Sequence, residues 1–183
     1  MLLHSTQNNL DIPVINFNLK GTDGHFYSPE DFKDKEILIV IFMCNHCPYV
    51  KAVIDRFVKF QDKYKDRGVQ LAAINPNDVS TYPQDSYENM IKFYDEHKMN
   101  FPYLIDESQE TAKAYDAVCT PDIYLFDSTR ILKYRGRLDN NWKDENNVTQ
   151  KDLENVTDML LKGESISDVE QVPSMGCSIK WKN

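Results

Sequence analysis

A chain of 183 residues, 41% hydrophobic and 27% charged, with no run near the roughly 18 apolar residues of a membrane helix, reads as one soluble globular unit that can bury its own core. Twenty-one Lys plus Arg against 29 Asp plus Glu give a net charge of −8, which argues against a polyanionic partner, so neither nucleic acid nor a membrane is expected to bind. Four Cys are too sparse for a disulfide scaffold, and residues 1–13 lack the basic and apolar regions of a signal peptide, so a cytoplasmic setting and catalytic or metal-binding thiols are expected.

In chain order, residues 1–11 read as a loose lead-in. Residues 14–19 alternate Val14, Asn16 and Asn18 with Ile15, Phe17 and Leu19, a period of two that predicts a strand leading into a hairpin turned at Asp23-Gly24. Ser28 is a helix N-cap with Pro29 at the first helical position, predicting a short helical turn. Residues 37–43 are apolar without alternation, as a strand buried on both faces is. They run directly into Cys44-Asn45-His46-Cys47-Pro48, after which Val50, Val53, Ile54, Phe57, Phe60 and Tyr64 recur at helical spacing until Gly68. With a second apolar strand at 69–74, residues 37–74 predict one right-handed parallel βαβ unit.

Residues 75–85 are the longest predicted loop, followed by a helix carrying Tyr87, Met90, Ile91 and Tyr94 and ending near Lys98. A short strand at 101–105, a helix at 109–115 capped by Ser108, and two strands at 122–126 and 131–135 come next. The turn joining those two strands is short enough to make them antiparallel. Thr149 is the predicted cap of a last helix carrying Leu153, Val156 and Leu160. Residues 164–183 show no clear periodicity and read as a polar C-terminal extension with a short apolar patch around Cys177. The order implies an α/β fold, a single domain over 1–183 with a mixed sheet flanked by helices on both faces.

Two thiols three residues apart at a strand-to-helix turn face free backbone N–H groups and the positive end of a helix, where thiolate is favoured. The spacing predicts Cys44 as the exposed, more acidic nucleophile and Cys47 as the partly covered resolving thiol, with His46 between them as a tunable charge. A zinc half-site is the competing reading, but no second Cys or His pair of similar spacing exists. A wider set of Cys44, Cys47, Cys119 and His46 suits Cu or Zn.

The motifs Met43–Val50, Ala117–Asp122, Tyr134–Asp139 and Gly176–Trp181 together resemble the thioredoxin-like superfamily, in its redoxin (AhpC/TSA-related) branch, and within it a peroxiredoxin-like family with a Cys-Asn-His-Cys motif. The resemblance covers residues 12 to the C-terminus. It implies a thioredoxin-like fold, a Cys44/Cys47 redox pair, and a cis peptide bond at Pro121, with Thr120 presenting its backbone to an incoming peptide or thiol. A cis X–Pro bond there removes an N–H that would otherwise approach the thiols. The implied activity is thiol-disulfide oxidoreduction without a cofactor, on a protein or low-molecular-weight thiol or disulfide. Alternatives are a thiol-dependent peroxidase and a soft-metal-binding protein. Cys44 stands where peroxiredoxins carry a hydroxyl, three residues before the peroxidatic position at Cys47, so peroxide turnover is expected to be weak. Leu38 and Met43 replace the Asp and Trp of thioredoxin.

Weaker candidates complete the survey. Cys119 reads equally as a buried hydrophobe or a third site sulfur, and Cys177 as a surface bystander rather than a resolving thiol. Arg135, Arg137 and Asp139 could form an electropositive rim for an anionic thiol, and Tyr49, Tyr82 and Trp142 could line a substrate groove. His4, His25 and His97 read as surface residues.

Overall fold

A computed structural model describes residues 1–6 and 10–182. The strands and helices, in chain order, are β1 (Leu2–His4), β2 (Leu19–Gly21), β3 (Phe26–Tyr27), β4 (Ile37–Phe42), α1 (Pro48–Tyr64) and β5 (Val69–Asn75). They continue with α2 (Tyr87–Glu96), β6 (Tyr103–Ile105), α3 (Glu110–Ala114), β7 (Cys119–Thr120), β8 (Asp122–Phe126), β9 (Leu132–Arg135), α4 (Asp152–Leu161) and β10 (Met175–Ser178). Seven strands form one mixed sheet in the order β3-β2-β6-β5-β4-β8-β9, and β1-β10-β7 form a second, smaller sheet. No helix among the described residues is long and apolar enough to cross a membrane.

The central strand β4 is buried along its whole length, as its unbroken apolar run requires. It pairs in parallel with β5 through α1, the expected βαβ unit, and antiparallel with β8. Alternate residues of β4 serve opposite cores. Ile37, Ile39 and Ile41 face α1, α2 and α4, while Leu38, Val40 and Phe42 face the side that holds Phe32, Ala112 and Tyr115. The two cores therefore meet at one strand, and the chain leaves its end at Phe42 directly into the cysteine motif.

The β2–β3 hairpin, the turn Pro29–Phe32 after Ser28 and the antiparallel β8–β9 pair stand where the sequence predicts them. Four local expectations are corrected. Residues 14–18 form no strand: Val14, Ile15 and Phe17 pack on the second core, so their alternation records burial without sheet pairing. The lead-in contains β1, although residues 7–9 of it lie outside the described part. Helix α4 starts at Asp152 with Lys151 at its cap, because the Thr149 hydroxyl accepts instead from the Asn140 amide at 2.7 Å. Helix α3 starts at Glu110, whose N–H reaches the Ser108 hydroxyl at 3.2 Å, while the cap position itself is taken by Gln109 in a left-handed conformation.

The largest departure is the tail. Residues 175–178 are not an appendage but the middle strand of the small sheet, paired antiparallel with β1 on one side and β7 on the other. Gly176 is obligatory there. A β-carbon at that position would collide with the Thr120 carbonyl, so only glycine lets β10 approach the backbone at Thr120 and Pro121 this closely.

Candidate active site

The cysteine motif fills the turn between β4 and α1. The Met43 N–H bonds the Ile74 carbonyl at 2.9 Å, holding the chain in the sheet's plane up to the first thiol. Cys47 is the N-cap residue of α1 in extended conformation, and Pro48 occupies the first helical position, where a missing N–H costs nothing. Both sulfurs belong to the core that α1 covers, and their residues are 1% and 0% exposed. The expected exposed Cys44 is thus corrected: the β7–β10 strands close over the turn and bury both members of the pair.

Thr120 and Pro121 form the roof, joined by the expected cis peptide bond. The Thr120 hydroxyl lies 3.5 Å from Cys44 Sγ, and the thiol of Cys47 donates to the Thr120 carbonyl at 3.1 Å. The outer edge of this segment is occupied. Cys177 pairs with Thr120 and Ser178 with Cys119, so the Thr120 backbone that the resemblance would offer to an incoming peptide is held by the chain's own β10.

Burial and hydrogen bonding favour an acidity order opposite to the one the spacing predicts. Cys47 is pulled down to about 5, chiefly because the Cys44 thiol donates to its sulfur, with help from Thr120 and from the backbone N–H groups of Val50 and Cys177. Cys44 is pushed well above its usual range, because giving up that shared proton and being buried both penalise its thiolate, and the Asp85 charge adds to the penalty. The Thr120 carbonyl beside Cys47 acts in the other sense, since it asks for a proton there. Together these surroundings favour ionisation of Cys47 over Cys44.

His46 is held by a residue that the sequence reading missed. Asp85, fully buried in the turn before α2, receives the His46 ring at 2.6 Å through Nδ1, the Asn45 and His46 backbone N–H groups at 2.8 and 3.2 Å, and the Asn77 amide at 2.8 Å. These donors hold its carboxyl below the usual range although burial alone would raise it. Tyr82 stacks on the ring at 5.5 Å, and the Tyr103 hydroxyl fixes Asn45 at 2.8 Å. The His46 Nδ1 lies 4.0 Å from Cys44 Sγ. The only signal in the sequence is an Asp at the end of a long turn-rich loop, and such residues are common in turns.

Other candidates separate cleanly. The donor atoms of Cys44, His46 and Asp85 lie within 4.8 Å of one another, whereas the Cys119 sulfur contacts the Pro121 carbonyl at 3.9 Å, outside that group. The expected soft-metal set of Cys44, Cys47, Cys119 and His46 is therefore not assembled: among the described residues only Cys44 and His46 of it cluster, together with Asp85. Burial raises the Cys119 thiol out of the reactive range. The electropositive rim does not form: Arg135 is buried against Asp122 at 2.8 Å, Arg137 pairs with Asp152 at 3.0 Å, and Asp139 binds Arg56 at 2.7 Å. Tyr49 and Trp142, 4.2 Å apart, do line a cavity of about 320 Å3 beside Pro121, with Val53, Val172 and Met175, while Tyr82 serves His46 instead.

Comparison with known proteins adds the following. The sequence model of the AhpC/TSA family matches residues 11–135. Thiol-disulfide oxidoreductase ResA from Halalkalibacterium halodurans is 25% identical over 102 residues, 56% of this chain and 53% of that protein, so the match spans about half the length of this curated relative. An uncharacterized conserved protein from Geobacillus kaustophilus superposes with a TM-score of 0.93 at 42% identity, covering 100% of this chain and 97% of that one. The thioredoxin domain of a thiol-disulfide oxidoreductase from Bacteroides vulgatus shares the fold, with a TM-score of 0.66 at 18% identity over 85% of this chain and 99% of that one. The mixed sheet with its flanking helices is thus a thioredoxin-like fold.

Proposed function

The chain belongs to the AhpC/TSA family, and from that premise we propose that it is a thiol-disulfide oxidoreductase whose redox centre is the Cys44/Cys47 pair. The observation that supports this most is the pair itself: two thiols three residues apart at the N-terminus of α1, beneath Thr120 and cis-Pro121, with each sulfur in contact with Thr120.

The roles expected from spacing are exchanged in this proposal. The Cys47 thiolate attacks a substrate disulfide, forming a mixed disulfide at Cys47 and releasing one substrate thiolate. Cys44, relieved of its proton, then attacks the Cys47 sulfur, closes the Cys44–Cys47 disulfide and releases the second thiolate. The substrate gains two electrons and the pair loses them. Cys44 is the poorer acid and needs help to ionise, and the Asp85–His46 couple beside it, whose carboxylate can accept a proton and whose ring is part-exposed, is the nearby acid–base group. The apolar cavity beside Pro121 suits an apolar segment of a protein or low-molecular-weight disulfide.

A thiolate held at about 5 stabilises the reduced form. The pair should therefore be more oxidising than thioredoxin's potential of about −270 mV. Peroxide turnover should be slow, since the residue three before Cys47 is a thiol where peroxiredoxins place a hydroxyl. The test is equilibration of the full chain with glutathione buffers followed by alkylation and mass spectrometry. A reversible two-electron Cys44–Cys47 couple is expected, and two thiols that stay free in oxidising buffer would refute the reading.

A further inference from the structure

The pair is sealed, yet a third thiol stands at its edge. Cys44 and Cys47 are 1% and 0% exposed, whereas Cys177 is only half-buried. Residues directly opposed across an antiparallel pair send their side chains to the same face, with β-carbons about 4.5–5.5 Å apart. Cys177 is opposed to Thr120, and the Thr120 hydroxyl is 3.5 Å from Cys44 Sγ, so the Cys177 thiol emerges on the face of the redox pair. It packs on the same core cluster as both cysteines, and its thiol is pushed up to about 11, first by burial and then by the neighbouring Cys47 sulfur. The neighbouring Gly176 is the residue type that permits this approach. Three thiols therefore converge, and β10 lies along the very backbone edge at Thr120 where an incoming chain would otherwise pair.

Building on the oxidoreductase reading above, we propose that Cys177 is the third redox thiol of the site, exchanging with the buried pair so that its oxidised state reaches the surface. Cys177 attacks the Cys47 sulfur of the Cys44–Cys47 disulfide. The Cys47–Cys177 bond forms as the Cys44–Cys47 bond breaks, and Cys44 leaves as a thiolate that takes up the proton Cys177 gives up. No electrons enter or leave in this step. The exposed end of the new disulfide, at Cys177, is then open to an external thiol, whose thiolate bonds to the Cys177 sulfur and releases the Cys47 thiolate. In this arrangement β10 is an internal partner seated where a substrate strand would lie, and it hands oxidation from a closed site to solvent.

The test is disulfide mapping of the full chain after oxidation with one equivalent of diamide, alkylation and unreduced tryptic digestion. Cleavage after Lys35, Lys51, Lys162 and Lys180 places Cys44 and Cys47 on peptide 36–51 and Cys177 on peptide 163–180. The expected result is internally bridged 36–51 together with a cross-linked 36–51/163–180 species. In Cys44→Ser the cross-linked species should become the dominant oxidised form, and in Cys177→Ser it should be lost while the internal bridge persists. Internally bridged 36–51 in the native chain, with no cross-link to 163–180 either there or in Cys44→Ser, would overturn the relay and leave the oxidoreductase reading standing. Peptide 36–51 recovered with both thiols alkylated would overturn that reading, and the relay with it. Circular dichroism of each variant keeps a folding failure from passing as either result.

Discussion

The two sheets treat the cysteine pair in opposite ways. The seven-stranded sheet carries it: β4 delivers Cys44 and α1 begins at Cys47, so both thiols stand at a place where backbone N–H groups and a helix dipole welcome negative charge. The three-stranded sheet covers it: β7 brings a carbonyl and a hydroxyl against the same sulfurs, β10 packs Cys177 on the same cluster, and both thiols are buried. In the proposed mechanism reactivity comes from the first sheet and access is governed by the second. A thiol can thus be both acidic and sealed, and acidity alone does not say where a substrate enters.

The strongest way to break this contrast is to remove the carried group. Cys47→Ser should bring disulfide turnover to the uncatalysed level, because the stabilised thiolate is lost. Turnover that survives in Cys47→Ser and disappears in Cys44→Ser would return the opening role to Cys44. Next in size is the cover. Gly176→Ala puts a β-carbon into the Thr120 carbonyl, and overpacking of this kind costs typically about 1–3 kcal/mol. At roughly 2–4 °C per kcal/mol for a chain of this size, a lowered Tm should be plain in calorimetry. The same variant should expose the pair, so Cys44 and Cys47 should react faster with an aromatic disulfide reagent. Unchanged reactivity alongside a lowered Tm would mean that β10 does not govern access.

A smaller effect should come from the residue that joins the two regions. Asp85→Asn removes the charge that raises Cys44 and the carboxylate that orients His46. Cys44 should become more acidic, read as thiolate absorbance near 240 nm. Turnover should nevertheless fall about tenfold, less than the roughly 10²–10⁴-fold of losing an acid–base group outright. A variant with faster turnover would show that the acidity of Cys44, and not proton transfer, limits the reaction.

A last effect concerns pH and stability. Cys47 is depressed from its usual 9.0 to about 5 in the fold, so the unfolded chain binds its proton more readily. Its stabilising contribution is full above about pH 9 and is lost as pH falls towards 5. Cys44, raised in the fold, acts oppositely: its contribution is present below its unfolded value and is lost as pH rises above about 9. Denaturant midpoints of the native chain and Cys47→Ser should therefore diverge as pH rises from about 5 to about 9, the native chain gaining. A gap that does not change with pH would place the pair's first ionisation elsewhere.

Much of the scaffold was legible because its signals are local. A short unbroken apolar run ending at a turn signal fits a strand buried on both faces, and Val50 through Tyr64 recur at one period. The hairpin and the β8–β9 turn are set by a few residues each. The region at 14–18 misled because alternation reports which side chains are buried, and an irregular segment lying on a core buries alternate residues as a strand does. Asp85 was illegible for a different reason: it is 39 residues from His46, and nothing near it announces a partner.

The sequence by itself determined the chemistry available to this protein. Two thiols, a histidine and a helix start are contiguous, and their spacing follows from geometry within one turn of chain. Only the tertiary structure decided which thiol is acidic, which is accessible, and what closes the site. Those properties depend on desolvation, on the contacts of Thr120, on the charge of Asp85 and on the cover of the strand that holds Cys177, residues that lie 76, 41 and 133 positions from Cys44 along the chain and meet it only when β7, β10 and the turn before α2 pack against the end of β4.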